Sequence, residues 1–509
     1  MTLLLLLLIP LAAIFLIMLR CPAKPVAVWG AAANFVYSIV MMGGYDTTGS
    51  AGSKIIDGYQ FVIKYPWLDL PGLPLISFHL GLDGINAPLV FLCTTVTLAA
   101  VSLTPATIKR APEFFIYVLL MSLGALGAFL SLDLFFFFIF HEFALIPTFL
   151  LIGIWGTQNR QFASMQLTLY LTLGSLVLLG GILALVLWSG ANTFDIVDIQ
   201  KQLANTALSE TDQFAIWPLL LVGFGILISL FPFHTWAPGG YACAPPAAAM
   251  MHAGVLKKFG IYGILRVAMP CLDPSGAAWA YWEPWLWVLL LGNVLFVGYT
   301  TVAQKELPLM LGFSSVMHMG YMFLGIATFD LIGLTGVVML MVAHGLSAAL
   351  LFAIAGEIQQ RTGENRMDQL GGLAKRMPFL ATAFVLGSLA SVGMPGLANF
   401  AGEIMIFFGA FNRINFGAYE AGQAVPLMIV VILAIWGIVI SAIYSLRSIS
   451  KVFFGDLPER YAEVRDLETF QERAPYILLM AVLLLLGFVP SIITSNAHQS
   501  LSLMLGGGS

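Results

Sequence analysis

The chain has 509 residues, of which 60% are hydrophobic and only 9% are charged, and its formal net charge is −4. A soluble globular protein carries about 25% charged residues, so the composition excludes an ordinary water-soluble fold, and the small net charge argues against nucleic acid as a partner. Apolar runs of about 18 residues or more, the length that indicates a membrane span, recur along the sequence and predict an all-α polytopic protein of the lipid bilayer.

Fourteen membrane spans are predicted, most of them close to the ~20 residues that cross the hydrocarbon core. Numbered 1 to 14 in chain order, they are 3–19, 25–43, 85–107, 113–130, 132–155, 163–189, 213–231, 245–268, 284–304, 307–328, 332–354, 379–411, 424–446 and 474–493. Span 1 is interpreted as a retained helix, because it lacks the basic start and the small-residue cleavage site of a signal peptide. The loop 44–84 alternates weakly and is rich in Pro and Gly, which predicts a small ordered cap with short strands.

The positions of Lys and Arg predict the orientation, because basic residues accumulate in cytoplasmic loops. If the linker after span 1 is cytoplasmic, fifteen basic residues lie on that side, namely Arg20, Lys24, Lys109, Arg110, Arg160, Lys305, Arg361, Arg366, Lys375, Arg376, Arg447, Lys451, Arg460, Arg465 and Arg473. Four lie opposite, namely Lys54, Lys64, Lys201 and Arg413. Both termini are therefore predicted to face the outside, which agrees with an even number of spans.

Few ionisable side chains lie inside the predicted spans. They are Glu142, Lys257, Lys258 and Glu403, together with His141, His252, His318 and His344. A charge at the bilayer centre costs roughly 2.5–3.5 kcal/mol, and such groups usually serve ion pathways or proton relays. The alternatives are a neutral acid bonded to a neighbouring helix, for the carboxyl group of span 5, and interhelical hydrogen bonds for the histidines.

Span 8 carries two adjacent lysines and an arginine. Lys257 and Lys258 point about 100° apart on a helix, so only one is expected to face the protein interior. We predict that this residue is Lys258. Arg266 lies near the end of its helix and is expected to snorkel towards the membrane surface.

Two stretches interrupt the spans. SVGMPGLANFAGEIM, residues 391–405, places a proline and three glycines beside Glu403, and FPFHTWAPGGYACAP follows span 7. Broken helices are tolerated at membrane depth only beside protein or a water-filled cavity. Their corresponding positions predict two inverted five-helix repeats, broken in spans 7 and 12, and divide the chain into 1–110, 111–270, 280–450 and 451–509. We expect the second break to admit water, so that the carboxyl group beside it exchanges protons with one side.

Six motifs occur in order between about residues 80 and 455: HEFALIP, FPFHTWAP, AGVLKKFGIYGILR, SSVMHMGY, AHGLSAALLF and GMPGLANFAGE. Together they resemble the antiporter-like subunit M family of NADH–quinone oxidoreductase, respiratory complex I. The resemblance implies proton translocation along a buried hydrated axis driven by quinone chemistry elsewhere in the complex, through coupled titration of neighbouring groups. The implied proton relay consists of Glu142, Lys258, His318, His344 and Glu403.

The resemblance also implies the setting of the chain. Its partners would be two neighbouring antiporter-like subunits and a lateral helix of the complex I membrane arm, in a bacterial inner membrane with both termini periplasmic. The chain would act as a subunit of an enzyme without a redox centre of its own. No cofactor or metal is expected, because no dinucleotide-binding glycine motif follows a strand and the four cysteines form no C-x-x-C pair.

The sequence departs from the family at the position of a lysine in span 7, where it has Leu227, so that Glu142 lacks its usual partner. Gln166 also stands where relatives often have lysine. Three interpretations remain open: pumping with water, a subunit contact or Lys257 as replacement; conduction with altered coupling; or a silent, structural subunit. A subunit of a multisubunit cation/proton antiporter or of a membrane-bound hydrogenase is the competing function, whereas a solute carrier is disfavoured because the titratable groups form a line.

Overall fold

The computed structural model describes residues 2–45, 55–271, 273, 276–416 and 421–505. The helices before the first break are α1 (Leu4–Met18), α2 (Ala23–Gly43), α3 (Ala87–Leu103), α4 (Ala111–Leu130), α5 (Leu134–Trp155), α6 (Arg160–Trp188), α7 (Ile196–Asn205) and α8 (Glu210–Ile228). They are followed by α9 (Trp236–Cys243), α10 (Pro246–Met251), α11 (Lys258–Gly263), α12 (Ala277–Leu291), α13 (Gly298–Ala303), α14 (Leu307–Thr328) and α15 (Leu331–Thr362). The last are α16 (Pro378–Val392), α17 (Ala398–Phe416), α18 (Ala421–Phe453), α19 (Phe470–Phe488) and α20 (Ser491–Met504).

Each predicted span coincides with one helix or with consecutive helical segments, which confirms the helical membrane fold. Among the described residues, ten helical segments are long and apolar enough to cross a membrane, and α1, α3 and α16 are apolar but shorter. The count of fourteen crossings therefore stays a prediction. Both predicted breaks are present, between α8 and α9 and between α16 and α17.

The predicted cap is an antiparallel hairpin of β1 (Gln60–Leu68) and β2 (Ile76–Leu82), in which Lys64 lies opposite His79. The short helix α7 and the C-terminal helix α20, neither of which the hydropathy pattern predicts, pack against this region. Asp195 binds His79 Nδ1 and Lys64 Nζ at 2.7 Å, and Ser500 Oγ accepts the Gly84 N–H at 2.8 Å. Burial opposes ionisation of Asp195, but the His79 and Lys64 contacts hold its pKa below the usual range.

The middle of the bundle is formed by α14 and α15, and the most apolar 18-residue window of α15 is completely buried. Helix α17 packs against α15 at backbone distance. A Cβ atom at Gly402 would lie 2.8 Å from the Leu340 nitrogen, and one at Gly336 would lie 2.8 Å from the Gly402 oxygen. Small residues let membrane helices approach in this way, so these two glycines fix the position of the helix that carries Glu403.

Gly402→Val is expected to push α17 away from α15, because the new side chain overlaps the Leu340 backbone. Overpacking of this kind typically costs 1–3 kcal/mol, so we expect less assembled protein and a lower midpoint of thermal unfolding in detergent. Gly180→Val is the matched control, since Gly180 lies on α6 with no atom within 4 Å of the added Cβ. Equal midpoints for the two variants would contradict the close packing described here.

Candidate functional site

Lys258 is fully buried at the point where a π-helical segment (His252–Leu256) passes into α11. Its Nζ donates to the Ala253 oxygen at 2.6 Å and lies 2.9 Å from His344 Nδ1 on α15. An ammonium group has donors only, whereas a neutral imidazole has one donor and one acceptor nitrogen. A charged Lys258 therefore donates to Nδ1, and a neutral one accepts from it, so the pair shares one proton.

His318 on α14 continues this cluster, because its ring centroid lies 5.4 Å from that of His344. Its Nδ1 lies 2.8 Å from the Ser314 oxygen and its Nε2 lies 2.7 Å from the Ser391 oxygen. Backbone oxygens only accept hydrogen bonds. Both contacts are therefore hydrogen bonds only when both ring nitrogens carry a proton, so this position suits an imidazolium.

The break between α16 and α17 supplies one of these acceptors. Helix ends leave carbonyl groups without partners within the helix, and here the Leu389 and Ala390 oxygens accept from the Met394 and Gly393 nitrogens. The Ser391 oxygen instead accepts from His318. The interruption that the sequence places in span 12 thus exposes a backbone oxygen to a candidate relay histidine.

Glu403 is buried on α17, and its Oε1 atom has no hydrogen-bond partner among the described residues. Its carboxyl group lies against Gly393, where φ is +80° and an added Cβ would collide with Oε2. Tyr321 packs against His318 at 5.8 Å between ring centroids, and against Phe407, one turn after Glu403, at 5.8 Å. Tyr321 thus contacts both His318 and α17, the helix that carries Glu403.

The expectation that only one lysine of span 8 faces the interior is wrong. Lys257 is 1% exposed, its Nζ lies 3.4 Å from Ser315 Oγ on α14, and it lies 5.6 Å from the centroid of the Tyr241 ring. Residues 251–269 are buried without exception, because α3, α8 and α15 surround this segment. An angle of about 100° between neighbouring side chains therefore leaves both inside protein.

The expectation that Arg266 snorkels is also wrong. Arg266 is 2% exposed and its Nη2 lies 2.6 Å from Asp83 Oδ2, while Nη1 donates to the Tyr59 hydroxyl at 2.9 Å. Asp83 was missed because it precedes span 3, where a loop acid gives no signal by itself. The signal for an acidic partner was Arg266 itself, since a cation within a membrane span needs a counter-charge.

Glu142 lies apart from the lysine cluster, which consists of Lys257 and Lys258, and is partly exposed on α5. Its Oε1 atom lies 3.4 Å from His141 Nδ1, without hydrogen-bond geometry. Leu227 lies on α8, the helix of span 7, and is buried. As an apolar residue, it places no cation beside the Glu142 carboxyl group. The structure therefore joins Lys258, His344 and His318 and leaves both predicted carboxyl groups without a direct contact to them.

A small cavity with polar and apolar lining adjoins His344. Ser314, Ser315, Ser347 and Ser391 line it together with His344, and it offers about 10 Å³ for water centres. A volume of roughly this size accommodates about one water molecule when polar partners surround it. No group of three His, Cys, Asp or Glu side chains within the described part of the chain is arranged to hold a metal ion.

Comparison with known proteins identifies relatives along the whole chain. The family described as NADH:quinone oxidoreductase/Mrp antiporter, TM matches residues 131–419. NADH-quinone oxidoreductase subunit M of Rickettsia bellii is 33% identical over 484 residues, which are 94% of this chain and 91% of the relative. NAD(P)H-quinone oxidoreductase chain 4 of a Synechococcus species is 33% identical over 447 residues, which are 86% of this chain and 80% of the relative.

Solved structures of related complexes contain chains with the same fold. A chain of respiratory complex I from Thermus thermophilus with bound NADH is 27% identical, with a TM-score of 0.86 and full coverage of both chains. A chain of the Mrp complex from a Dietzia species is 22% identical, with a TM-score of 0.80 over 98% of this chain and 96% of that one, which shows the fold alone. The chain therefore belongs to the NADH:quinone oxidoreductase/Mrp antiporter transmembrane family, with subunit M of NADH-quinone oxidoreductase as its curated relatives.

Proposed function

We propose that this antiporter-like subunit translocates protons within a respiratory NADH:quinone oxidoreductase. The relay would comprise Glu142, Lys258, His344, His318 and Glu403. The observation that carries the proposal is the buried contact of Lys258 with His344, which in turn lies beside His318. A purely structural subunit gains nothing evident from burying a lysine, which costs several kcal/mol.

Electrostatic coupling gives the cluster its mechanism. Two unit charges about 5 Å apart interact by about 3 kcal/mol at an effective dielectric constant of 20. A positive charge at His318 therefore favours the state in which the proton shared by Lys258 and His344 moves away. Removal of that charge favours its return, so a charge change at one end of the row moves protons along it.

The position of Glu142 supports a partner on its side of the chain. Its side chain is 30% exposed, although Oε1 is buried, on a helix face whose other exposed side chains include Phe143 and Ile146. A carboxyl group facing lipid is unfavourable, so we propose that a neighbouring antiporter-like subunit covers this face. We also propose the lateral helix as a partner, and the bacterial inner membrane with both termini periplasmic as the location.

The two breaks support the proposed division of the chain into 1–110, 111–270, 280–450 and 451–509. One break lies within each of the two middle parts, as inverted repeats require. The hairpin and α20 share one face of the structure, which agrees with the predicted placement of loop 44–84 and the C-terminus on the same side of the membrane.

Glu403→Gln tests the proposed function, because the amide keeps the shape of the side chain and cannot exchange a proton. Loss of a positioned acid or base typically slows proton transfer about 10²–10⁴-fold, so the contribution of this subunit to pumping is expected to vanish. Proton uptake per NADH oxidised is measured in vesicles containing the assembled complex. Glu459→Gln, which changes an exposed acid, is the control, and an unaltered proton-to-electron ratio in both variants would refute the relay.

A further inference from the structure

A second small cavity lies between α5 and the π-helical segment before Lys257. Its lining includes Ala144, Leu145 and Leu256, and it offers about 10 Å³ for water centres. Two titratable side chains interrupt the apolar walls, His141 from α5 and His252 from the π-helical segment. Leu227, the residue at the family's lysine position, lines the same cavity.

Both histidines are buried in an arrangement that packing alone does not explain. His141 stacks on Phe259 with 4.1 Å between ring centroids, but its buried Nδ1 atom has no hydrogen-bond partner among the described residues. His252 is 5% exposed, with Nδ1 3.3 Å from the Tyr241 hydroxyl. Buried polar atoms ordinarily have partners, and the space between the two imidazoles has room for about one water molecule.

The two histidines also reach the ends of the gap in the relay. His141 Nδ1 lies 3.4 Å from Glu142 Oε1. On the other side, the Lys257 ammonium lies 5.6 Å from the centroid of the Tyr241 ring, and the hydroxyl group of Tyr241 lies 3.3 Å from His252 Nδ1. The cavity thus separates Glu142 from the lysine cluster by two imidazoles and the space of about one water molecule.

We propose that His141 and His252, with one water molecule between them, conduct protons between Glu142 and the Lys257–Lys258 cluster. This bridge rests on the proposed function. It would connect Glu142 to the lysines in place of the family's lysine, whose position on α8 is occupied by Leu227. Each imidazole takes up a proton on one ring nitrogen and releases one from the other. The net result is that the Glu142 carboxyl group loses one proton and a neutral lysine of the Lys257–Lys258 cluster gains one, while both imidazoles return to their starting state and no other reactant is needed.

His141→Phe tests the bridge, because phenylalanine keeps a ring to stack on Phe259 and has no titratable nitrogen. Proton transfer through this chain is expected to slow about 100-fold or more, while NADH oxidation and assembly are retained. Adding Leu227→Lys to this variant is expected to restore pumping, because the new amine enters the cavity that His141 lines. His498→Phe on α20 is the control.

The outcomes separate the bridge from the function on which it rests. Normal pumping by His141→Phe alongside impaired Glu403→Gln would overturn the bridge and leave the function standing, whereas normal pumping by both would overturn the function. If His141→Phe does not assemble, His141→Gln takes its place. A pumping defect that Leu227→Lys does not restore in an assembled complex would assign His141 to packing alone and overturn the bridge.

Discussion

Replacing Lys258 by methionine is expected to abolish proton transfer by this subunit while the complex still assembles and oxidises NADH. Methionine fills the volume of the lysine stem and removes the only group shown to bind His344 Nδ1 among the described residues. The fold is expected to persist, since a buried charge is removed together with its desolvation penalty. The His344 Nδ1 atom and the Ala253 oxygen each lose this partner, at about 1–3 kcal/mol apiece. Proton uptake per NADH oxidised is the measurement.

Lys258→Arg makes this experiment sharper. Arginine keeps the positive charge and the donors, but it does not lose its proton in proteins. If Lys258 exchanges a proton with His344, both variants fail to pump. If arginine pumps normally while methionine does not, Lys258 acts as a fixed charge and the shared-proton mechanism is wrong. Lys451→Met, at an exposed position near the end of α18, controls for the loss of a lysine as such.

The helices and breaks could be predicted because the signals are local. Long apolar runs require backbone hydrogen bonds within a helix in lipid, so each span is visible in its own residues. The interruption at residues 393–397 is equally visible, because Pro395 cannot continue a helix and Gly393 takes a positive φ of +80°. The rarity of charges inside the spans led to Lys258 and Glu403, whose roles the resemblance then implied.

The contacts among these groups could not be predicted, because they depend on distant residues. The sequence gives no sign that three helices surround Lys257, or that a π-helical segment precedes it. Helix α7 was missed because it has ten residues and is amphipathic, with Ile196, Ile199 and Leu203 buried on one face. Its amphipathic pattern indicates packing of one face against protein, whereas the hydropathy criterion detects only long segments that are apolar throughout.

The pair formed by Asp83 and Arg266 illustrates the same limit, since the partners are separated by 183 positions in the chain. It is also the place where a single change is expected to affect stability most. Both side chains are nearly completely buried, and the guanidinium also donates to the hydroxyl groups of Tyr59 and Tyr262. The Asp83 Oδ1 atom accepts the Ile85 and Asn86 N–H groups before α3, so the pair joins the cap, α3 and the end of span 8.

Asp83→Asn is expected to lower the free energy of unfolding by about 3–5 kcal/mol, because it leaves a buried guanidinium without its counter-charge. The single amide oxygen accepts either from the guanidinium or from the Ile85 and Asn86 N–H groups, so the loss includes hydrogen bonds on one side as well as the charge. Adding Arg266→Met is expected to recover most of the loss, since a buried ion pair replaced by apolar groups is often neutral in stability. Thermal midpoints of the assembled complex in detergent provide the measurement, with Asp69→Asn at an exposed loop position as the control. If the double variant is no more stable than Asp83→Asn alone, the unpaired charge is not the cause, and the guanidinium would have to be held chiefly by Tyr59 and Tyr262.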